Sequence, residues 1–213
     1  DFHVKNPVLS PDKPVRVSGN GFLRYASAAG EKTGHVDLSI GGRKFGSFTS
    51  FSITDFDDLR AGANRPDGYP DFGKRPEYVT RINDRDTLIP NENVNVQKFT
   101  NYDQYSLIQK FTFRPLDYYD INYGFYYSNT SSIPRYDRLI IYDETGLPEN
   151  AEWYYGPQTW MMHRLQLRTY RSRTGWNEAR ITLAYQSYEE SRHDRGFREI
   201  LKRSRFEKVD LLS

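Results

Sequence analysis

Six residues carry the side chains best suited to hold a ligand. Arg135, Tyr136 and Arg138 lie in one segment, Trp153 and Tyr154 in a second, and His193 in a third. Guanidinium forks match carboxylate geometry and aromatic faces stack on flat π-systems, so the set suits a planar anion. The same residues equally suit a loop that only braces itself, with Asp137 bridging Arg135 and Arg138. His193 sits in Ser191-Arg192-His193-Asp194-Arg195, with no second histidine or carboxylate at a metal-binding helical spacing. A loop histidine held by neighbouring charges is the plainer reading, and ligand or metal contact is the alternative.

Nothing in the sequence composes a catalytic constellation, and no enzyme, resident cofactor or metal site is expected. Asp57-Asp58 and Glu189-Glu190 are adjacent pairs, whose side chains point to opposite faces if they lie on a strand. They read as solvated loop residues. Gly41-Gly42 is followed by Arg43-Lys44 and not by the Lys-Ser/Thr of a phosphate loop, so it reads as a hairpin turn. The basic run Lys202-Arg203-Ser204-Arg205 lacks an aromatic stacking platform, which argues against nucleic acid and for solvation or lipopolysaccharide. The absence of cysteine removes disulfides, thiol chemistry and thiolate metal sites together.

These side chains must be positioned by strands. The chain has 213 residues, a net charge of +2, 37% hydrophobic residues and 15% aromatics, with 17 Tyr and 13 Phe. No apolar run is long enough for a membrane helix. A membrane β-barrel alternates lipid-facing and lumen-facing residues, however, and averages to polar. Period-two alternation is common. Val36, Leu38 and Ile40 alternate with Asp37 and Ser39, and Tyr105, Leu107, Gln109, Phe111 and Phe113 with Ser106, Lys110, Thr112 and Arg114. Ile121, Tyr123, Phe125 and Tyr127 alternate with Asp120, Asn122, Gly124 and Ser128, and Ile181, Leu183 and Tyr185 with Arg180, Thr182 and Gln186. Weaker strand patterns cover about 15–27, 45–55, 159–170 and 205–213, the third with His163 near a rim. Connections alternate in length. Short turns are expected at 41–44, 115–117 and 172–175, and longer loops at 28–32, 56–103, 129–158 and 189–204. That alternation, with tyrosines near strand ends, suits an all-β, antiparallel up-and-down meander: a partial, open transmembrane β-barrel of about seven or eight strands.

Several stretches resemble TonB-dependent outer-membrane receptors, in particular the haem and haemoprotein branch found in the Bacteroidetes. The most specific are Pro134-Arg135-Tyr136-Asp137-Arg138-Leu139 and Trp153-Tyr154-Tyr155-Gly156-Pro157-Gln158. Asn122-Tyr123-Gly124-Phe125-Tyr126-Tyr127-Ser128 and Glu189-Glu190-Ser191-Arg192-His193-Asp194-Arg195 add to them. The resemblance covers nearly the whole chain. It implies that residues 1–10 are the end of a plug and its junction, with Asp1 to Lys5 as the plug's last strand, and that residues 11–213 are the first strands of the barrel. It implies a Gram-negative outer membrane, lipid around the wall, and energy from the TonB complex through a plug. The transported ligand would be an iron complex, meaning haem, a haemoprotein or a ferric siderophore. The family's haem-liganding histidines find no match here. Two rival functions stand beside this one: a passive porin-like channel, and a soluble carbohydrate-binding or adhesive β-protein.

Overall fold

The computed structural model describes residues 4–172 and 174–213. Its strands, in chain order, are β1 (Arg16–Ala26), β2 (Glu31–Gly41), β3 (Phe45–Phe56), β4 (Leu59–Arg60), β5 (Glu77–Ile82), β6 (Arg85–Pro90) and β7 (Val96–Gln97). There follow β8 (Tyr102–Leu116), β9 (Tyr119–Thr130), β10 (Ile133–Pro134), the single-turn helix α1 (Tyr136–Leu139), β11 (Asn150–Tyr155), β12 (Thr159–Thr169), β13 (Ala179–Gly196) and β14 (Arg203–Leu212). No helix among the described residues is long and apolar enough to cross a membrane.

Eight long strands pair antiparallel in the order they occur along the chain: β1, β2, β3, β8, β9, β12, β13, β14. The sheet is open, because β1 and β14 are its edges and do not pair with each other. Hydrogen bonding gives this sheet ten strands, where about seven or eight were expected. The two extra are β10 and β11, which prolong β9 and β12 past the short interruptions at residues 131–132 and 156–158. The expected loop at 129–158 therefore begins and ends in strands of this sheet, and residues 135–149 with α1 form the excursion between them. The expected loop at 189–204 shrinks to residues 197–202, because β13 runs on to Gly196 between two partners, β11 and β14. The stretch 56–103 is not structureless either. It holds the ribbon β4–β7 and the hairpin β5–β6, whose two-residue turn Asn83-Asp84 has positive φ at both positions, as the twist of a tight hairpin requires. Of the expected plug strand at residues 1–5, the first three lie outside the described residues, and Val4 and Lys5 belong to no strand.

Antiparallel alternation puts the connections at 42–44, 117–118 and 170–178 at one end of the sheet. Those at 27–30, 57–101, 131–158 and 197–202 lie at the other, with all the accessory elements.

The two faces of the sheet are chemically opposite. On one face Asp37, Lys110, Thr112 and Asp120 are buried. Lys110 donates to the carbonyls of Val4 and Lys5 and to Asn6 Oδ1, and Lys5 pairs with Asp37 at 2.8 Å, so the N-terminal segment lies across this polar face. A side chain at Gly41 would collide with the Val8 carbonyl, which explains the glycine there. The other face carries Val36, Leu38, Ile40, Phe45, Phe51, Ile53, Phe113, Ile181 and Leu183, all exposed, Leu183 by 56%. Among the described residues the only buried large apolar side chains are Phe48 and Leu139, so nothing resembling an apolar core exists.

The apolar face has an oblique limit. One continuous ladder row crosses all eight long strands through Leu23, Gly34, Ile53, Tyr105, Asn129, Thr159, Glu189 and Lys208. It is polar from Asn129 onward. Two residues further from the accessory end, the row runs Gly21, Val36, Phe51, Leu107, Tyr127, Met161, Ser187, Asp210 and turns polar only at Ser187. The next runs Gly19, Leu38, Thr49, Gln109, Phe125, His163, Tyr185 and Leu212, with Thr49, Gln109 and His163 as its polar members. Polar groups within the apolar field satisfy one another. Thr49 donates to Gln109 at 2.6 Å and Gln109 donates to Ser47 at 3.0 Å. His163 stands mid-strand in this field and not at a rim, its Nδ1 bonded to Tyr123 Oη at 2.8 Å and its ring 5.0 Å from that of Phe125.

Candidate ligand-binding surface

All six candidate residues lie at the accessory end, and the structure sorts them into three groups. Arg135 precedes α1 and faces β11. Its Nε and Nη2 donate to both carboxylate oxygens of Asp137 at 2.7 Å, and Nη1 donates to Tyr155 Oη at 3.1 Å. Its guanidinium lies 5.1 Å from the Trp153 ring and 5.4 Å from that of Tyr155. Arg135 is thus committed within the loop, and the fork holds the Asp137 carboxyl below the usual carboxylate range. Arg138, one turn on, keeps an exposed side chain whose nearest carboxylate, Asp137, is 3.8 Å away.

Tyr136 points away from that pair and packs on Arg75, 5.6 Å from guanidinium carbon to ring centroid, with Phe99 on the same guanidinium at 6.0 Å. Arg75 is buried, donates to the carbonyls of Lys98 and Glu77, and ties the start of β5 to β7. Burial lowers the Arg75 pKa and raises that of Tyr136.

Tyr154 and His193 form the third group. Their rings stack at 4.7 Å across the β11–β13 pair, where they are direct partners. Both imidazole nitrogens are taken: Nδ1 lies 2.8 Å from Ser204 Oγ and Nε2 2.9 Å from Ser191 Oγ. A neutral imidazole donates through one nitrogen and accepts through the other, and two hydroxyls satisfy both. His193 therefore presents no open nitrogen to an iron centre. Among the described residues no cluster of three metal-ligating side chains occurs. Trp153 and Tyr154 meet again in the lining of a cleft of about 260 Å³, together with Val79 and Phe99.

What the candidate list missed is the residue that assembles this end. Arg195 is buried, donates from Nη1 and Nη2 to Asp86 at 2.6 and 2.9 Å, and donates from Nε to Glu152 at 2.9 Å. Asp86 stands at the tip of the β5–β6 hairpin, so the accessory hairpin is clamped onto the β11–β13 part of the sheet. Hydrogen bonds from Arg195 hold the Asp86 carboxyl low. Burial pushes Glu152 upward, but Lys202 at 2.6 Å and Arg195 more than offset it, leaving that carboxyl low as well. The candidate list also omitted Tyr69 and Phe72, two exposed aromatics in a Pro/Gly-rich loop. The signal available for them was an aromatic pair among turn-forming residues, where burial gives no reason for it.

Searches with this chain find no matching family model, no matching curated protein and no matching solved structure.

Proposed function

We propose that this chain is a stretch of the wall of an outer-membrane β-barrel, and that its accessory end forms part of the outer mouth of a receptor importing an iron complex. The observation that carries the membrane part is the oblique limit of the apolar face. A barrel strand tilts by about 35–45°, so a membrane plane must cross the hydrogen-bonded rows at that angle. Between the first two of those rows the limit moves two residues along the strands while two strands are crossed. At about 3.3 Å per residue and about 4.8 Å per strand this slope is about 35°. A soluble protein has no reason to bound an exposed apolar face along such a diagonal, and an open apolar patch of this extent is foreign to soluble monomers.

Lipid leaves no water for unpaired backbone, so the free edges of β1 and β14 call for further strands to complete the barrel. The polar face then lines the lumen. The Thr49–Gln109–Ser47 chain and the Tyr123–His163 bond fit the same setting, because polar groups facing hydrocarbon must find their partners in the wall. Importing a ligand with TonB-supplied energy, as opposed to passive diffusion, rests on the motif resemblance around Pro134–Leu139 and Trp153–Gln158. For the ligand, exposed Arg138, tied only by a 3.8 Å ion pair to Asp137, is the candidate guanidinium best placed to turn to a carboxylate.

The test is uptake by whole cells carrying the protein, with haem and with a ferric siderophore, in the presence and absence of a functional TonB complex. Import of either that collapses without TonB supports the reading. Equal import in both backgrounds makes the protein a passive channel, and absence of the protein from the outer-membrane fraction overturns the wall itself.

A further inference from the structure

A cleft of about 750 Å³ lies at the accessory end between the 61–74 loop and α1, and neither Arg135 nor Arg138 lines it. Its mouth is aromatic: Tyr69 and Phe72 are 69% and 75% exposed, and Tyr136 and Ile140 form the opposite wall. Exposed aromatics are ordinary on a loop that moves, but this loop is held. Arg65 donates from Nε to the Phe72 carbonyl at 2.7 Å, from Nη2 to Asn95 Oδ1 at 2.6 Å and from Nη1 to the Ala63 carbonyl at 3.3 Å. Successive turns add Tyr69 N–H to Pro66 O at 2.9 Å and Phe72 N–H to Tyr69 O at 3.1 Å. A braced backbone that still exposes two rings is preorganised for contact, which spares a ligand the entropy of ordering the loop.

The charge inventory selects the ligand. Arg65 is spent on protein acceptors, and Lys74 pairs with Asp71 at 2.9 Å. The side-chain amides of Asn64 and Gln97 and the phenols of Tyr69 and Tyr136 line the same cleft and hydrogen-bond no other described residue. Apolar ring faces beside uncommitted neutral donors and acceptors, with no spare cation, fit a molecule that has one apolar face and a rim of hydroxyls. A pyranose ring has this shape: its C–H face stacks on an aromatic plane, and its hydroxyls take bidentate amide bonds.

We propose that the cleft between the 61–74 loop and α1 binds a neutral saccharide, stacking a pyranose on Tyr69 or Phe72 and meeting its hydroxyls with Asn64 and Gln97. This site is separate from the Arg138 surface, so failure of one leaves the other standing.

The test is binding of the full-length protein, in an amine-oxide detergent that carries no sugar headgroup, to an array of neutral and sialylated oligosaccharides. The array offers each glycan both free and on a carrier protein, with haemin as a planar anionic probe in solution. Neutral oligosaccharides should be retained over sialylated ones. Tyr69→Ala and Phe72→Ala should each weaken that retention by about tenfold, the scale of a lost hot-spot ring, at unchanged melting temperature. Asn64→Leu, which keeps volume and removes the amide, should weaken it too. Retention of the free glycan identifies an oligosaccharide as the ligand, and retention only on the carrier identifies a glycoconjugate. Absence of any neutral glycan binding overturns the proposal. So does binding that ignores all three substitutions, or haemin affinity that falls with Phe72→Ala while saccharide affinity does not.

Discussion

Arg195 and Asp86 lie 109 positions apart in the chain, yet form a forked ion pair at 2.6 and 2.9 Å with side chains only 3% and 2% exposed. This pair docks the β5–β6 hairpin onto β13, and Glu152 on β11 completes the ring of charge around the same guanidinium. Removing Asp86 takes two charge-assisted hydrogen bonds from the buried guanidinium and leaves it Glu152 as its remaining carboxylate, which costs about 1.5–3 kcal/mol. Asp86→Ala should therefore free the hairpin, visible as faster amide exchange over residues 77–90, while the paired wall strands keep their protection. Exchange unchanged in the hairpin would mean that backbone contacts alone hold it.

The same clamp has a pH signature. The folded Asp86 carboxyl is held below its unfolded value of about 3.9, so its contribution is fully present above that value and is lost as pH falls through the lower folded one. Hairpin protection should be flat from neutral pH down to about 4 and decay only below that. Asp86→Asn should show the weakened state at neutral pH and no further change on acidification from this group.

His193 offers no open nitrogen, because Ser204 and Ser191 hold both. If haem is the ligand, His193→Ala should leave its absorption spectrum on binding unchanged. Arg138→Ala should lower haem uptake by about tenfold, as loss of one carboxylate fork would. A spectral shift with His193→Ala would make this histidine an axial ligand and reverse the assignment.

The eight long strands were legible because their physics is local. In β9, Ile121, Tyr123, Phe125 and Tyr127 alternate with Asp120, Asn122 and Gly124, and the period-two pattern survives without any tertiary knowledge. The second half of β13 was not legible. Glu189-Glu190-Ser191-Arg192-His193-Asp194-Arg195 is polar on both faces, and it is a strand only because β11 and β14 pair with its two edges. Nothing local marks Arg195, since its partner Asp86 lies 109 positions away. The alternation of β12 alone gives His163 no partner, and the expected place near a rim is not the one it takes. Its Tyr123 partner sits on the neighbouring strand and is visible only once the register is known.

The wall itself predicts an asymmetry between adjacent residues. Leu183 stands on the exposed apolar face, and Thr182 on the polar one, where it accepts a hydrogen bond from Gln166. Leu183→Arg should cost about 2–4 kcal/mol of stability in a bilayer if it lies near mid-membrane, and Thr182→Arg far less. Urea unfolding in lipid vesicles measures both, and equal costs would remove the distinction between lipid and lumen.

The most direct measurement uses the absence of cysteine, which lets single cysteines carry nitroxide labels at chosen positions of the protein in lipid vesicles. Ile53 and Lys208 occupy the same ladder row, on the same face of the sheet, at opposite ends of the oblique limit. Labels at Ile53 and at Leu183 should collide with dissolved oxygen and be shielded from a water-soluble nickel chelate, while labels at Lys208 and Thr182 should show the reverse. Identical environments at Ile53 and Lys208, or nickel access at Leu183 equal to that at Thr182, would contradict a tilted wall facing lipid.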